Sequence, residues 1–241
     1  MFFNYFQKLR GKCKVGKIKK KTGGFLPEEV YAEIYRIVRK LPDYDIVEVG
    51  AATGAASIVI AKAMQDSGKK SRLIAVEKCE GGSREKIGDY AANLRLLEDN
   101  LRKFKVDDKV VLFPHRIGLK SAQITALIKT GKIAAFIYDA DGKIYRDFDL
   151  FWPLLIPGGA IIIDDYAKIA ASNPVTDIKR EMTNILVEKM IEWGLFKKVA
   201  LIHATIFGIK PINADFSKFD LNLCQEIGCE YQRRFDALGN A

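Results

Sequence analysis

Histidine and cysteine are scarce in this chain, two of the one and four of the other in 241 residues. Cys13, Cys79, Cys224 and Cys229 have no zinc-ligand spacing, and only His115 and His203 could join them, which argues against a zinc centre. A reduced, cytoplasmic protein is the simplest reading of such cysteine usage. No apolar run approaches ~18 residues, so no transmembrane helix is expected. The N-terminus puts an aromatic cluster ahead of its lysines, the reverse of a signal peptide. Internal repeats, a second domain and the full GxGxxG dinucleotide fingerprint are also missing.

Acidic residues are absent from residues 1–24, which hold eight basic ones: Lys8, Arg10, Lys12, Lys14, Lys17, Lys19, Lys20 and Lys21. They account for nearly all of the net charge of +9, because the rest of the chain has 31 basic residues against 30 acidic. The body of the protein is therefore close to neutral, which argues against a nucleic-acid-binding face. With 49% hydrophobic and 29% charged residues, the chain has the composition and length for one α/β domain with a sizeable core.

Residues 46–54, Ile-Val-Glu-Val-Gly-Ala-Ala-Thr-Gly, are the most informative stretch. A β-branched run meets a turn bearing Gly50 and Gly54, and a helical pattern starts at Ala55 and reaches Asp66, where Ser67-Gly68 stops it. Strand, glycine turn and helix present bare backbone N–H groups and a positive helix end to a ligand. Glu48, at the end of that strand, can point into the same crevice.

Strand and helix signals then alternate to residue 163, the pattern of a parallel sheet covered on both faces. Strands are expected at Leu73–Val76, Val110–Phe113, Ile133–Tyr138 and Ala160–Ile163, the last entered through a Pro157-Gly158-Gly159 turn. Between them the spacing predicts a long helix capped by Ser83 with the stripe Ile87, Tyr90, Leu94, Leu97, Leu101, Phe104; a short helix over Ala122–Ile128; and a helical or irregular piece over Phe148–Leu155. Pro174 opens a further helix after an Asn173 cap, burying Ile178, Met182, Ile185, Met190 and Trp193 and ending at Gly194. Phe196–Leu201 and Ala204–Ile209 read as an antiparallel pair, and residues 212–241 as polar with one terminal helix.

Ligands of open α/β sheets bind beyond the C-terminal strand ends. Strand two ends in Glu77, where a carboxylate can take two ribose hydroxyls. Strand four ends in Asp139-Ala140-Asp141 and strand five in Asp164-Asp165-Tyr166. Four carboxylates converging there raise one another's pKa unless a cation relieves them, and oxygen-only ligands suit magnesium, calcium or manganese. The alternative is that only some of them face the cleft while others cap turns or meet lysines.

Together, E-V-G-A-x-x-G, the acidic end of strand two, D-A-D-x-x-x-Y and G-G-x-x-x-x-D-D resemble the Rossmann-like S-adenosylmethionine-dependent methyltransferases over roughly residues 25–210, and within them the catechol and caffeoyl-CoA type of O-methyltransferase. The resemblance implies a three-layer α/β sheet of about seven strands, mostly parallel with an antiparallel final strand. It implies Glu48, Gly50, Ala51, Thr53 and Gly54 at the methionine end of the cofactor and Glu77 at its ribose. It places Gly118, Leu119 and Ser121 near adenine and Asp139 at the cofactor and the reaction centre, with Asp139, Asp164 and Asp165 as ligands of a divalent ion such as Mg2+. The chain departs from the family in having Gly142 where a lysine usually follows D-A-D, with Lys143 one residue later, and in having Asp165 where asparagine is commoner. Related sugar- and natural-product-modifying enzymes share the D-D-Y ending, and some need no metal.

In the implied reaction a metal-bound acceptor hydroxyl gives its proton to Lys143 or Lys168. His115, Tyr145 and Tyr166 are further candidates for the pocket. The expected acceptor is a hydroxylated small molecule, and no nucleic-acid partner is expected, since an Asn-Pro-Pro-Tyr type motif is also lacking. A metal-independent enzyme and a non-catalytic adenosyl-nucleotide binder are the alternatives. The expected organisation is a basic segment 1–24, a catalytic domain 25–212 and an extension 213–241. Within the first of these, residues 1–21 read as a surface element for anionic membranes, as a lid or contact for an acidic partner, or as a solvated tail. A homo-oligomer is compatible with all of this.

Overall fold

The computed structural model describes residues 14–80, 88–115, 121–167 and 174–239. Seven strands lie in the order β3-β2-β1-β4-β5-β7-β6. They are β1 Asp45–Val49, β2 Leu73–Val76, β3 Val110–Phe113, β4 Ile133–Tyr138, β5 Leu155–Ile163, β6 Lys197–Ile202 and β7 Thr205–Ile209. The chain divides into two compact units, Met1–Ala135 and Phe136–Ala241. Among the described residues no helix is long and apolar enough to cross a membrane.

In the first unit β1 and β3 flank β2 in parallel, with Ile46 opposite Leu73 and Leu73 opposite Val110. β1 and β2 are buried along their whole length, as near-continuous β-branched runs require when both faces are covered. Helix α1 (residues 14–22) buries Val15 and Ile18, while Lys14, Lys17, Lys20 and Lys21 are exposed. Part of the lysine-rich segment is thus a folded amphipathic helix, tied to the end of α3 by the Lys14–Asp66 ion pair at 2.7 Å. Helix α2 (Glu28–Lys40) packs on α3 (Ala55–Asp66) through Val30, Tyr31, Ile34, Tyr35 and Val38, the i, i+3/i+4 stripe of an amphipathic helix.

The long helix predicted from Ser83 differs from expectation at its start. Helix α4 is Tyr90–Lys103, and its cap is Asp89, whose side chain accepts from the Ala92 N–H at 3.0 Å. Both Ser83 and Ile87 lie outside the described residues. Leu97 and Leu101 are the buried part of the expected stripe, and Tyr90 is exposed. The short helix α5 is Ser121–Leu127.

In the second unit β7 runs antiparallel to both β5 and β6. Two boundaries depart from expectation. Helix α6 is Ile144–Phe151, starting before Phe148, and β5 begins at Leu155, so Pro157-Gly158-Gly159 lies inside the strand. The backbone there is irregular but paired: the Gly158 N–H donates to the Lys210 carbonyl and the Lys210 N–H to that of Gly159, both at 2.9 Å. Gly158 supplies the positive φ of 74° that the irregularity needs. Helix α7 (Pro174–Glu192) starts at the expected proline and packs on α8 (Leu221–Gly239). Ile185 and Trp193 are only half-buried; Leu186 and Val187 take the core positions. The strand β6 has a register irregularity between Lys198 and Ala200.

Asp45 anchors the start of β1. Only 3% exposed, it accepts from the Arg72 N–H at 2.8 Å and the Lys129 N–H at 3.2 Å. Asp45→Ala strands both donors and is expected to lower unfolding free energy by about 2–3 kcal/mol, with a smaller loss for Asp45→Asn, as read from the urea midpoint.

Candidate active site

The glycine turn follows β1 directly. The Gly50 N–H continues the ladder to the Val76 carbonyl at 2.9 Å, and Gly50, Ala52 and Gly54 all have positive φ, at 95°, 48° and 85°. The chain therefore reverses tightly and enters α3 with no side-chain cap. A Cβ at Gly54 would lie 2.7 Å from Leu97 Cδ1, so the glycine also lets α4 approach the turn. The Thr53 carbonyl accepts from Asn100 Nδ2 at 2.9 Å, fixing the turn from the same helix.

Two carboxylates bracket this turn. Glu48 is 2% exposed and accepts from the Ser57 hydroxyl at 2.5 Å, in the first turn of α3. Glu77 sits at the end of β2, where its Oε2 accepts from the Ala52 N–H at 2.8 Å and its Oε1 from the Cys79 N–H at 3.0 Å. A carboxylate has about four lone-pair sites, so each Glu77 oxygen keeps acceptor capacity for a ligand hydroxyl. Ser121 opens α5; Gly118 and Leu119 lie outside the described residues. The His115 ring meets Phe113 edge-on at 5.2 Å.

In the second unit the Asp164 N–H donates to the Tyr138 carbonyl at 2.9 Å, which sets the ends of β4 and β5 side by side. Ligand oxygens of Asp139, Asp164 and Asp165 fall within 4.8 Å of one another. The fourth expected carboxylate goes elsewhere. Asp141 accepts from the Tyr138 hydroxyl at 2.9 Å, the Lys143 N–H at 3.1 Å and the Arg146 guanidinium at 3.3 Å, so it closes the turn into α6. Lys143 is the residue preceding α6, and no ion pair joins it to the three carboxylates among the described residues. Lys168 lies outside them. Tyr145 packs on α8, since a Cβ at Gly228 would lie 2.6 Å from its hydroxyl, and the Tyr166 hydroxyl donates to Glu188.

The alternative in which some of these carboxylates meet lysines is the one seen, with a lysine that the sequence reading did not single out. Lys179, on α7, puts its ammonium 2.6 Å from Asp165 Oδ2 and 3.6 Å from Asp139 Oδ1, and Arg180 Nε donates to Asp165 Oδ1 at 3.2 Å. Asp164 accepts from the Thr205 hydroxyl. Asp165, at φ 57°, sits in the left-handed region that aspartate tolerates better than most residues. Burial works against the charge of Asp165, but Lys179 and Arg180 outweigh it and hold its carboxyl below the usual range. Burial and then Asp164 push Asp139 up, and burial and then Asp165 push Asp164 up. Lys179 is desolvated as well, yet the three carboxylates keep its proton affinity above that of an ordinary lysine.

A divalent ion fits this donor set poorly. Both oxygens of Asp165 are engaged by side-chain cations, and Asp139 Oδ1 lies 3.6 Å from the Lys179 ammonium. A metal held by the three carboxylates would have to displace Lys179.

Gly54 yields a test of the turn. Gly54→Ala is expected to cost about 1–3 kcal/mol through strain at positive φ and crowding of Leu97. In the Leu97→Ala background the same substitution is expected to cost measurably less, which a double-mutant cycle by urea unfolding reads directly.

Residues 47–166 match the model of a family described as a methyltransferase domain. No curated protein matches the chain significantly. Solved structures resemble it in fold. The O-methyltransferase TomG of Streptomyces achromogenes, in complex with SAM, is 14% identical, with 83% of this chain and 89% of that one covered and a TM-score of 0.58. An O-methyltransferase of Bacillus cereus in complex with SAH is 16% identical over 83% and 91%, at 0.54. The SAH-bound methyltransferase PaMTH1 of Podospora anserina is 12% identical over 84% and 87%, at 0.58. Residues 47–166 thus read as a methyltransferase domain by their family match, and the solved structures share the fold of the chain.

Proposed function

We propose that this chain transfers a methyl group from S-adenosylmethionine to a hydroxyl oxygen of a small molecule. The observation that carries this reading is the Glu77 carboxylate seated on the glycine turn, with acceptor capacity left on both oxygens. Ribose presents two adjacent hydroxyls, and a fixed carboxylate is their strongest neutral-pH acceptor. The turn's backbone N–H groups and the N-terminus of α3 suit the carboxylate of the methionine end. The SAM and SAH complexes among the similar structures support the same cofactor.

The sulfonium already carries an activated methyl, so the protein's task is to orient the acceptor and remove its proton. The acceptor oxygen attacks the methyl carbon in line as the carbon–sulfur bond breaks towards sulfur, releasing neutral S-adenosylhomocysteine. The hydroxyl proton passes to Asp139, whose burial beside Asp164 gives it more affinity for a proton than an ordinary aspartate. That choice replaces Lys143, which is not on the cluster.

Isothermal titration of S-adenosylhomocysteine into the full chain tests the cofactor site. Binding is expected, and Glu77→Ala is expected to weaken it about 10- to 100-fold through the loss of two charge-assisted hydrogen bonds. Unchanged affinity in a Glu77→Ala protein with a wild-type thermal melt would remove Glu77 from the site, and no binding by the wild type would overturn the reading.

A further inference from the structure

Resting on the methyl-transfer reading above, we propose that Lys179 is the resident cation of the carboxylate cluster, that it takes the place of a divalent metal, and that this chain works without one. The ammonium pairs with Asp139 and Asp165, and Arg180 takes the remaining oxygen of Asp165, so two side-chain cations already offset the negative charge of the cluster.

A second, independent observation concerns the space that lets Lys179 reach the cluster. Gly142, with φ 83°, follows Asp139-Ala140-Asp141 in the turn facing α7. A Cβ at Gly142 would lie 2.5 Å from Met182 Cε and 3.2 Å from Lys179 Cγ. A side chain there would press on Lys179 and would move the end of Met182.

The placement on α7 agrees. Its buried residues include Met182, Thr183, Leu186, Val187 and Met190, and Lys179 stands one turn before Met182 and Thr183 on that same stripe. A lysine on the buried face of a helix requires fixed anionic partners, and Asp139 and Asp165 are those partners.

The substitution changes the acceptor chemistry. A divalent ion holds acceptors that offer two adjacent oxygens as a chelate. An ammonium makes single-point contacts, so one hydroxyl suffices. Lys179 acts as a fixed positive charge that stabilises the oxygen as its proton leaves; it takes up no proton itself.

Titration of MnCl2 into the full chain, followed by calorimetry and by the spin resonance of free Mn2+, tests this. Wild type and Lys179→Arg are expected to bind no Mn2+ in the micromolar range. Lys179→Met is expected to gain a site at least about tenfold tighter than any in wild type, and Asp139→Asn in that background to remove it. Should Lys179→Met fail to fold, Lys179→Gln, which retains a donor to Asp165, takes its place. Micromolar Mn2+ binding by wild type that Asp139→Asn abolishes would overturn the proposal, as would a folded Lys179→Met or Lys179→Gln protein that gains no Mn2+. A parallel titration of S-adenosylhomocysteine keeps the two readings apart: its failure would sink the cofactor assignment, and the Mn2+ result alone decides the role of Lys179.

Discussion

The need to neutralise three carboxylates crowded at the ends of two neighbouring strands governs the second unit. The adjacency of β4 and β5 places Asp139 and Asp164 together whatever their charge, because the Asp164 N–H is tied to the carbonyl of Tyr138. Ionised carboxylates held this close are unfavourable without a partner. The partner comes from α7, and so the helix must pack where its lysine and arginine meet Asp165. The close approach of Met182 to Gly142 and the left-handed backbone of Asp165 belong to the same arrangement.

The first unit meets a different constraint, the supply of donors to a tight turn. Three residues at positive φ turn the chain tightly out of the ladder, and Glu77 accepts from the Ala52 N–H within that turn. A side chain suited to a sugar thus also holds the turn in shape before any sugar arrives, a form of preorganisation that reduces what binding must spend on ordering. Asn100 holds the other side of the turn through the carbonyl of Thr53.

Much of this could be read from the residues. Strands rich in β-branched residues and bounded by Gly or charged residues, such as Leu73–Val76 and Ile133–Tyr138, fall where the pattern puts them, because burial on both faces leaves few other roles for such runs. Boundaries controlled by tertiary contacts were less legible. Pro157-Gly158-Gly159 has the composition of a turn, yet the pairing of Gly158 and Gly159 with Lys210 keeps it in β5. Asp89 outranks Ser83 as a cap because the helix begins only at Tyr90. Lys179 was missed because a lone lysine beside Ile178 reads as solvated, whereas counting back from Met182 and Leu186 puts it on the buried stripe. The other available signal was Gly142, a glycine in place of an expected lysine.

The outermost strand, β6, has a bearing on how the protein behaves in concentrated solution. Its free edge is an open row of backbone donors and acceptors onto which another chain could add a strand. The strand opens with exposed Lys197 and Lys198, and its pairing slips just beyond them, between Lys198 and Ala200. Charge at the start of the edge and a break in its regularity both oppose stacking of sheet on sheet, although Val199 and Leu201 beside them are exposed and apolar. Two lysines and one irregular residue pair at the rim of the sheet are thus what this edge sets against an added strand.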